Sequence, residues 1–140
     1  MEIYCQTIND LPKVAKRILS YGKGFKVWVL KGELGAGKTT FIQEIAKQMG
    51  IKEHISSPSY ALINEYFSHA TQNIYHFDLF RINSISEVLD IGIDEYLDSG
   101  SYCFIEWPEI AESLLPSRYL EIHIQNPENE LRIININKHE

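Results

Sequence analysis

The sequence predicts an α/β sandwich around a mixed sheet of about six or seven strands. Three observations carry this. Short β-branched and aromatic runs alternate with segments of helical apolar spacing, one apolar run leads straight into a glycine-rich stretch and a helix, and strand-like segments recur in hairpin pairs. The 140 residues are 44% hydrophobic and 23% charged, enough to build one core. No repeat, low-complexity tract or Pro/Ser-rich linker divides them, so residues 1–140 read as a single domain.

Each element has its own warrant. A short strand near Ile3 opens the chain. Asn9 or Asp10 can cap a helix that tolerates Pro12 in its first turn and places Leu11, Val14, Ala15, Ile18 and Leu19 on one face, ending at Gly22 and Gly24. Residues 25–30, Phe-Lys-Val-Trp-Val-Leu, are too short for a helix and read as a central strand buried on both faces. After the glycines of 32–37, Phe41, Ile42, Ile45, Ala46 and Met49 form a helical stripe closed by Gly50. Residues 60–67 and 73–78 suit an antiparallel hairpin. Ser84 and Ser86 ahead of Glu87 offer a cap for helical spacing over 85–97, which Gly92 breaks into two short helices. Tyr102 to Ile105 form another apolar strand, running into Glu106-Trp107-Pro108. A brief helix over 109–114 and strands over 119–125 and 131–137 close the chain.

Composition excludes several classes of function. Nineteen acidic against thirteen basic residues give a formal charge of −6, a field that repels phosphate backbones, so unaided nucleic-acid binding is not expected. Cys5 and Cys103 stand far apart and in no metal-ligand spacing, which argues against a disulfide framework or zinc site. No apolar stretch is long enough to span a bilayer, and the opening Met-Glu-Ile-Tyr-Cys-Gln lacks a signal-peptide pattern, so the expectation is a cytoplasmic protein with no membrane attachment.

The chemistry lies in Gly32-Glu-Leu-Gly-Ala-Gly-Lys38-Thr39, which matches the phosphate-binding pattern G-x-x-x-x-G-K-[ST]. Glycines at 32, 35 and 37 let backbone N–H groups wrap a phosphate at a helix N-terminus, where the helix dipole adds attraction. Lys38 supplies an ammonium to the β- and γ-phosphates, and the Thr39 hydroxyl suits the oxygen shell of Mg²⁺ better than Thr40, one residue further round the helix. With the apolar strand before it and the amphipathic helix after it, the loop predicts a P-loop NTPase-like three-layer sandwich that binds ATP with Mg²⁺.

Such a site needs acids at the carboxyl ends of neighbouring strands, and the chain offers two, Asp78 and Glu106. The residues alone do not rank them. The assignment adopted puts Glu106 in the magnesium shell and Asp78 on its waters or on the attacking water, with the swapped arrangement left open. Ser56-Ser57-Pro58-Ser59-Tyr60 resembles a γ-phosphate-sensing loop as much as an ordinary turn, with Ser59 the candidate sensor. Trp107 either joins the core or lines the site, and Arg81 either neutralises phosphate or pairs with a surface acid. The histidines at 54, 69, 76, 123 and 139 show no ligand spacing and read as solvated or hydrogen-bonded residues. Glu87, Asp90, Asp94, Glu95 and Asp98 form an acidic helical face, solvated or open to a basic partner.

Taken together, residues 32–41, Ser-Pro-Ser-Tyr at 57–60, His-Phe-Asp-Leu-Phe-Arg at 76–81 and Ile-Glu-Trp-Pro-Glu at 105–109 resemble the TsaE (YjeE) family over nearly the whole chain. The P-loop alone is generic, whereas the His-Phe-Asp and Glu-Trp-Pro blocks together are specific. The resemblance implies a bacterial ATPase that works with the TsaB and TsaD proteins to install threonylcarbamoyl-adenosine in tRNA, touching tRNA only through the complex. It implies a nucleotide site over Leu34, Gly35, Ala36, Gly37, Lys38, Thr39 and Thr40, magnesium ligands at Thr39 and Glu106, and a functional acid and tryptophan at Asp78 and Trp107. It also implies contacts from Thr7 near the adenine and from Arg132 in the last strand. Ser59 stands where many members have threonine and Phe80 where many have tyrosine. The rivals are a small-molecule kinase, disfavoured by only four arginines and no arginine-rich lid, and a GTP-operated binding switch, disfavoured by the lack of Asp-x-x-Gly.

Overall fold

The structure is a computed structural model and describes residues 1–52, 62–67 and 73–140. Among these residues a seven-stranded sheet is formed by β1 (Glu2–Cys5), β2 (Val27–Lys31), β3 (Ile63–Tyr66), β4 (Ile74–Asp78), β5 (Tyr102–Glu106), β6 (Tyr119–Gln125) and β7 (Arg132–His139). The strand order is β1-β7-β6-β2-β5-β4-β3. The four central strands β4, β5, β2 and β6 run parallel, β3 at one side and β7 at the other run antiparallel to them, and the edge strand β1 is antiparallel to β7, so the mixed sheet is as expected.

Helices cover both faces. On β2, Trp28 and Leu30 join Ile18 of α1 (Leu11–Tyr21) and Phe41 and Ile45 of α2 (Lys38–Gln48) in one core cluster. Val27 and Val29, which alternate with them in sequence, join Val88 of α3 (Ile85–Asp90), Ile93 of α4 (Ile93–Asp98) and Ala111 in another. Alternate residues of one strand thus feed two cores, which the side-chain period of a strand requires of a sheet buried on both faces. Three layers result.

Local differences from expectation have physical causes. Asp10 does not cap α1 with its side chain; its carboxylate instead accepts the N–H of Thr7 at 3.2 Å, and a 3-10 turn over Ile8–Asp10 precedes the helix. The central strand starts at Val27 because Phe25 belongs to the preceding turn, its N–H donating to the Gly22 carbonyl at 3.0 Å while its own carbonyl accepts Trp28 Nε1 at 2.8 Å. Ser84 caps α3, and Gly92 at φ +76° separates α3 from α4. The brief helix after Trp107 is of 3-10 type over Pro108–Leu114, entered through a left-handed Trp107 at φ 56°. Of the strand expected over 60–67, Tyr60 and Ala61 lie outside the described residues. Cys5 and Cys103 are both free and buried. None of the helices described is long and apolar enough to cross a membrane.

Candidate functional site

Three neighbouring strands end together where the glycine loop begins. Leu30 of β2 is level with Glu106 of β5, and Glu106 is level with Asp78 of β4, so the carboxyl edge of the sheet carries both acids beside the β2–α2 loop. Crevices of this kind, outside the carboxyl ends of parallel strands, are where open α/β sheets bind ligands.

The loop is held open by close packing. At Gly32 the backbone turns at φ +151°, and a Cβ would lie 2.6 Å from the Ile124 carbonyl oxygen of β6. Gly37 enters α2 at φ +104°, with Arg132 Nε 3.0 Å from where its Cβ would be, so the arginine leans over the start of the helix. Its guanidinium donates to the Glu130 carbonyl at 3.0 Å. Leu34 and Gly35 are exposed at the loop, whereas Ala36 is buried in the core beneath.

Lys38 is only 5% exposed. Its Nζ donates to the Gly32 carbonyl at 2.6 Å and lies 3.5 Å from the centre of the Trp107 ring, a cation–π contact. Burial pushes its pKa below the usual lysine value, opposed by the carboxylates of Glu106, Asp78 and Glu109. Trp107 therefore meets the site as well as the second core, and Phe80 packs on its ring at 4.9 Å.

Thr39 Oγ1 lies 3.4 Å from each oxygen of Glu106, and that carboxylate, 3% exposed, meets His76 Nε2 at 2.6 Å through Oε2. The two acids, unranked by sequence, are in different places. Glu106 faces Thr39, while Asp78, one strand further out, accepts the Phe80 N–H at 3.0 Å. Mg²⁺ usually takes one or two protein ligands and fills its shell with phosphate and water. A hydroxyl and a carboxylate 3.4 Å apart fit that donor set, since adjacent ligands of an octahedral Mg²⁺ stand about 3 Å apart.

Beside the loop lies a cavity lined by Cys5, Ile8, Phe41 and Ile134 together with Thr40 and Arg132. Thr7 sits just outside this lining, between Cys5 and Ile8, with its N–H on Asp10. Lys38, Thr39, Glu106 and Trp107 are thus gathered in mutual contact, Asp78 adjoins them, Arg132 and Thr40 join them from the cavity side, and Thr7 stands apart. Arg81 is exposed. Ser59, with Ser57 and Pro58, lies outside the described residues. Sequence reasoning overlooked His76, which is fully buried against Glu106. The signal was there: His76 precedes Asp78 by two, so both side chains leave β4 on one face.

Fold and site define a three-layer α/β protein with a glycine-rich loop, a lysine and two strand-end acids at the carboxyl edge of its parallel strands. Residues 5–134 match the family model described as threonylcarbamoyl adenosine biosynthesis protein TsaE. The chain belongs to the TsaE family, whose role is in the biosynthesis of tRNA threonylcarbamoyladenosine. It is 35% identical over 131 residues to the tRNA threonylcarbamoyladenosine biosynthesis protein TsaE of Bacillus subtilis, covering 92% of this chain and 81% of the relative. It is 38% identical over 130 residues to the Rickettsia bellii protein of the same name, covering 91% and 88%. The crystal structure of Bacillus subtilis YdiB superposes with a TM-score of 0.81 at 28% identity, covering all of this chain and 86% of that one.

Proposed function

We propose that this protein is a Mg²⁺-dependent ATPase of the bacterial machinery that makes threonylcarbamoyl-adenosine in tRNA. The observation that carries the reading is the joining of a buried Lys38, held at the mouth of the Gly32–Gly37 loop, to a Thr39–Glu106 pair 3.4 Å apart. Lys38 and the loop N–H groups would bind the β- and γ-phosphates, with Arg132 above Gly37 adding charge. The cavity lined by Cys5, Ile8, Phe41 and Ile134 offers apolar walls to the adenine.

Thr39 and Glu106 would hold Mg²⁺. When bound, the ion neutralises phosphate charge and polarises the bond that breaks. Asp78, level with Glu106 on the next strand, would orient the attacking water. Trp107, packed on Lys38, excludes water from the ammonium until phosphate displaces it.

The net charge of −6 supports a subunit that meets tRNA only through partners, and by family resemblance those are TsaB and TsaD. Intrinsic hydrolysis is slow, the complex being where turnover matters, and the protein works in the cytoplasm. The test is hydrolysis of ATP with and without TsaB and TsaD, with GTP as competitor and with tRNA nucleosides analysed after depletion of the protein. Faster hydrolysis in the complex, preference for ATP and loss of the modified nucleoside are expected. Transfer of the γ-phosphate to a metabolite, or equal competition by GTP, would overturn the reading.

A further inference from the structure

Glu106 is nearly inaccessible to water, and among the described residues its carboxylate has the Thr39 hydroxyl at 3.4 Å and the His76 imidazole at 2.6 Å as side-chain hydrogen-bond partners. A buried carboxylate is costly unless a donor meets it. For a Glu106 ionised as a Mg²⁺ ligand, the short contact makes His76 Nε2 the donor, because an ionised carboxylate only accepts. His76 Nδ1 is buried and has no partner among the described residues, where the ring's side-chain hydrogen bond is to Glu106.

The geometry goes further than burial. His76 is level with Phe104 on the neighbouring strand, two residues before Glu106, so the ring approaches the carboxylate diagonally across the β4–β5 pair. This commits Oε2 to the imidazole, and since Thr39 Oγ1 lies 3.4 Å from both carboxylate oxygens, Oε1 is the one beside Thr39 that the ring does not engage. A glutamate has three side-chain torsions to immobilise, and a hydrogen bond from a rigid ring on an adjacent strand fixes the last of them at little entropic cost.

We infer that His76 is a positioning residue for Mg²⁺: by donating Nε2–H to Glu106 Oε2 it holds Oε1 where it completes a ligand pair with Thr39. This rests on the reading of Thr39 and Glu106 as the magnesium pair. Removing an outer hydrogen bond of this kind typically weakens metal affinity by about 10–100-fold.

The experiment is calorimetric titration of ATP at a series of Mg²⁺ concentrations into the full chain, for wild type, His76→Leu and His76→Gln, the glutamine amide being able to offer an N–H near the position of Nε2. The Mg²⁺ concentration for half-maximal enhancement of ATP binding should rise about tenfold or more in His76→Leu. It should return most of the way in His76→Gln, while ATP binding without Mg²⁺ stays unchanged in both. As a second arm that keeps a neutral buried pair, His76→Leu in a Glu106→Gln background should add nothing to the Mg²⁺ requirement. An unchanged Mg²⁺ requirement in His76→Leu, an equal loss in the leucine and glutamine variants, or a loss of Mg²⁺-free binding would overturn the positioning role and leave the site's reading standing. Wild-type protein whose ATP binding ignores Mg²⁺ would overturn both.

Discussion

Replacing Gly32 by alanine tests how the loop is built. The new methyl group would stand 2.6 Å from the Ile124 carbonyl oxygen and 3.3 Å from Ala36 Cβ, at a φ of +151°. The backbone conformation alone costs an alanine about 1–3 kcal/mol. Relief of the contact must come from moving β6 or the loop, since the atom met is backbone, and overpacking of this kind costs about 1–3 kcal/mol more. The sum is about 4 kcal/mol. For a domain of this size 1 kcal/mol moves Tm by about 4 °C, so Gly32→Ala should melt about 15 °C lower. Gly35→Ala is the control: at φ +79° with nothing within 4 Å, it carries only the backbone penalty of about 1–2 kcal/mol and a fall of about 6 °C. Differential scanning calorimetry of the three proteins gives the comparison. Equal melting of Gly32→Ala and Gly35→Ala would refute the claim that the strand-to-loop corner is held by contact with β6.

Other outcomes follow from the same geometry. Trp107 contacts the Lys38 ammonium whereas Trp28 is sealed in the core, so ATP with Mg²⁺ should change the intrinsic fluorescence of wild type and not that of Trp107→Phe. Asp78→Ala should keep nucleotide binding but lose about a hundredfold or more in hydrolysis, as measured by phosphate release. Burial pushes the Cys103 thiol up to about 12 from 9.0. The unfolded chain therefore ionises first as pH rises, and the contribution is full below about pH 9 and lost progressively toward pH 12, at about 1.4 kcal/mol per pH unit. Urea unfolding across this range should be steeper in pH for wild type than for Cys103→Ala, and the thiol should resist alkylation until the protein unfolds.

The central strand, the loop and the amphipathic helix behind it were legible because each is written in local pattern: an apolar run, spaced glycines, a stripe at helical spacing. The hairpin pairs were legible for the same reason, and so was the break at Gly92. What the sequence could not rank was Asp78 against Glu106. Both end apolar strands, and only the strand order, with β5 between β2 and β4, puts Glu106 next to Thr39 and Asp78 one strand away. His76 was passed over because metal-ligand spacing was the pattern sought among histidines, whereas its role comes from a diagonal across two strands 30 residues apart. The cavity was invisible to pattern for a related reason: its walls come from β1, the first 3-10 turn, α2 and β7, which meet only in the folded sheet. Trp107 could have been core or site, and it is both, packing on the second core cluster and on the Lys38 ammonium.

The most direct test of the account is isothermal titration calorimetry of Mg²⁺ and ATP into wild type and Lys38→Ala. Saturable heat at one site per chain is expected for wild type. Lys38→Ala should bind about 10–100-fold more weakly, the loss of charge-assisted hydrogen bonds worth about 1.5–3 kcal/mol. No heat with wild type, or equal affinity in the two proteins, would contradict the claim that the Gly32–Thr39 loop grips the phosphates of ATP.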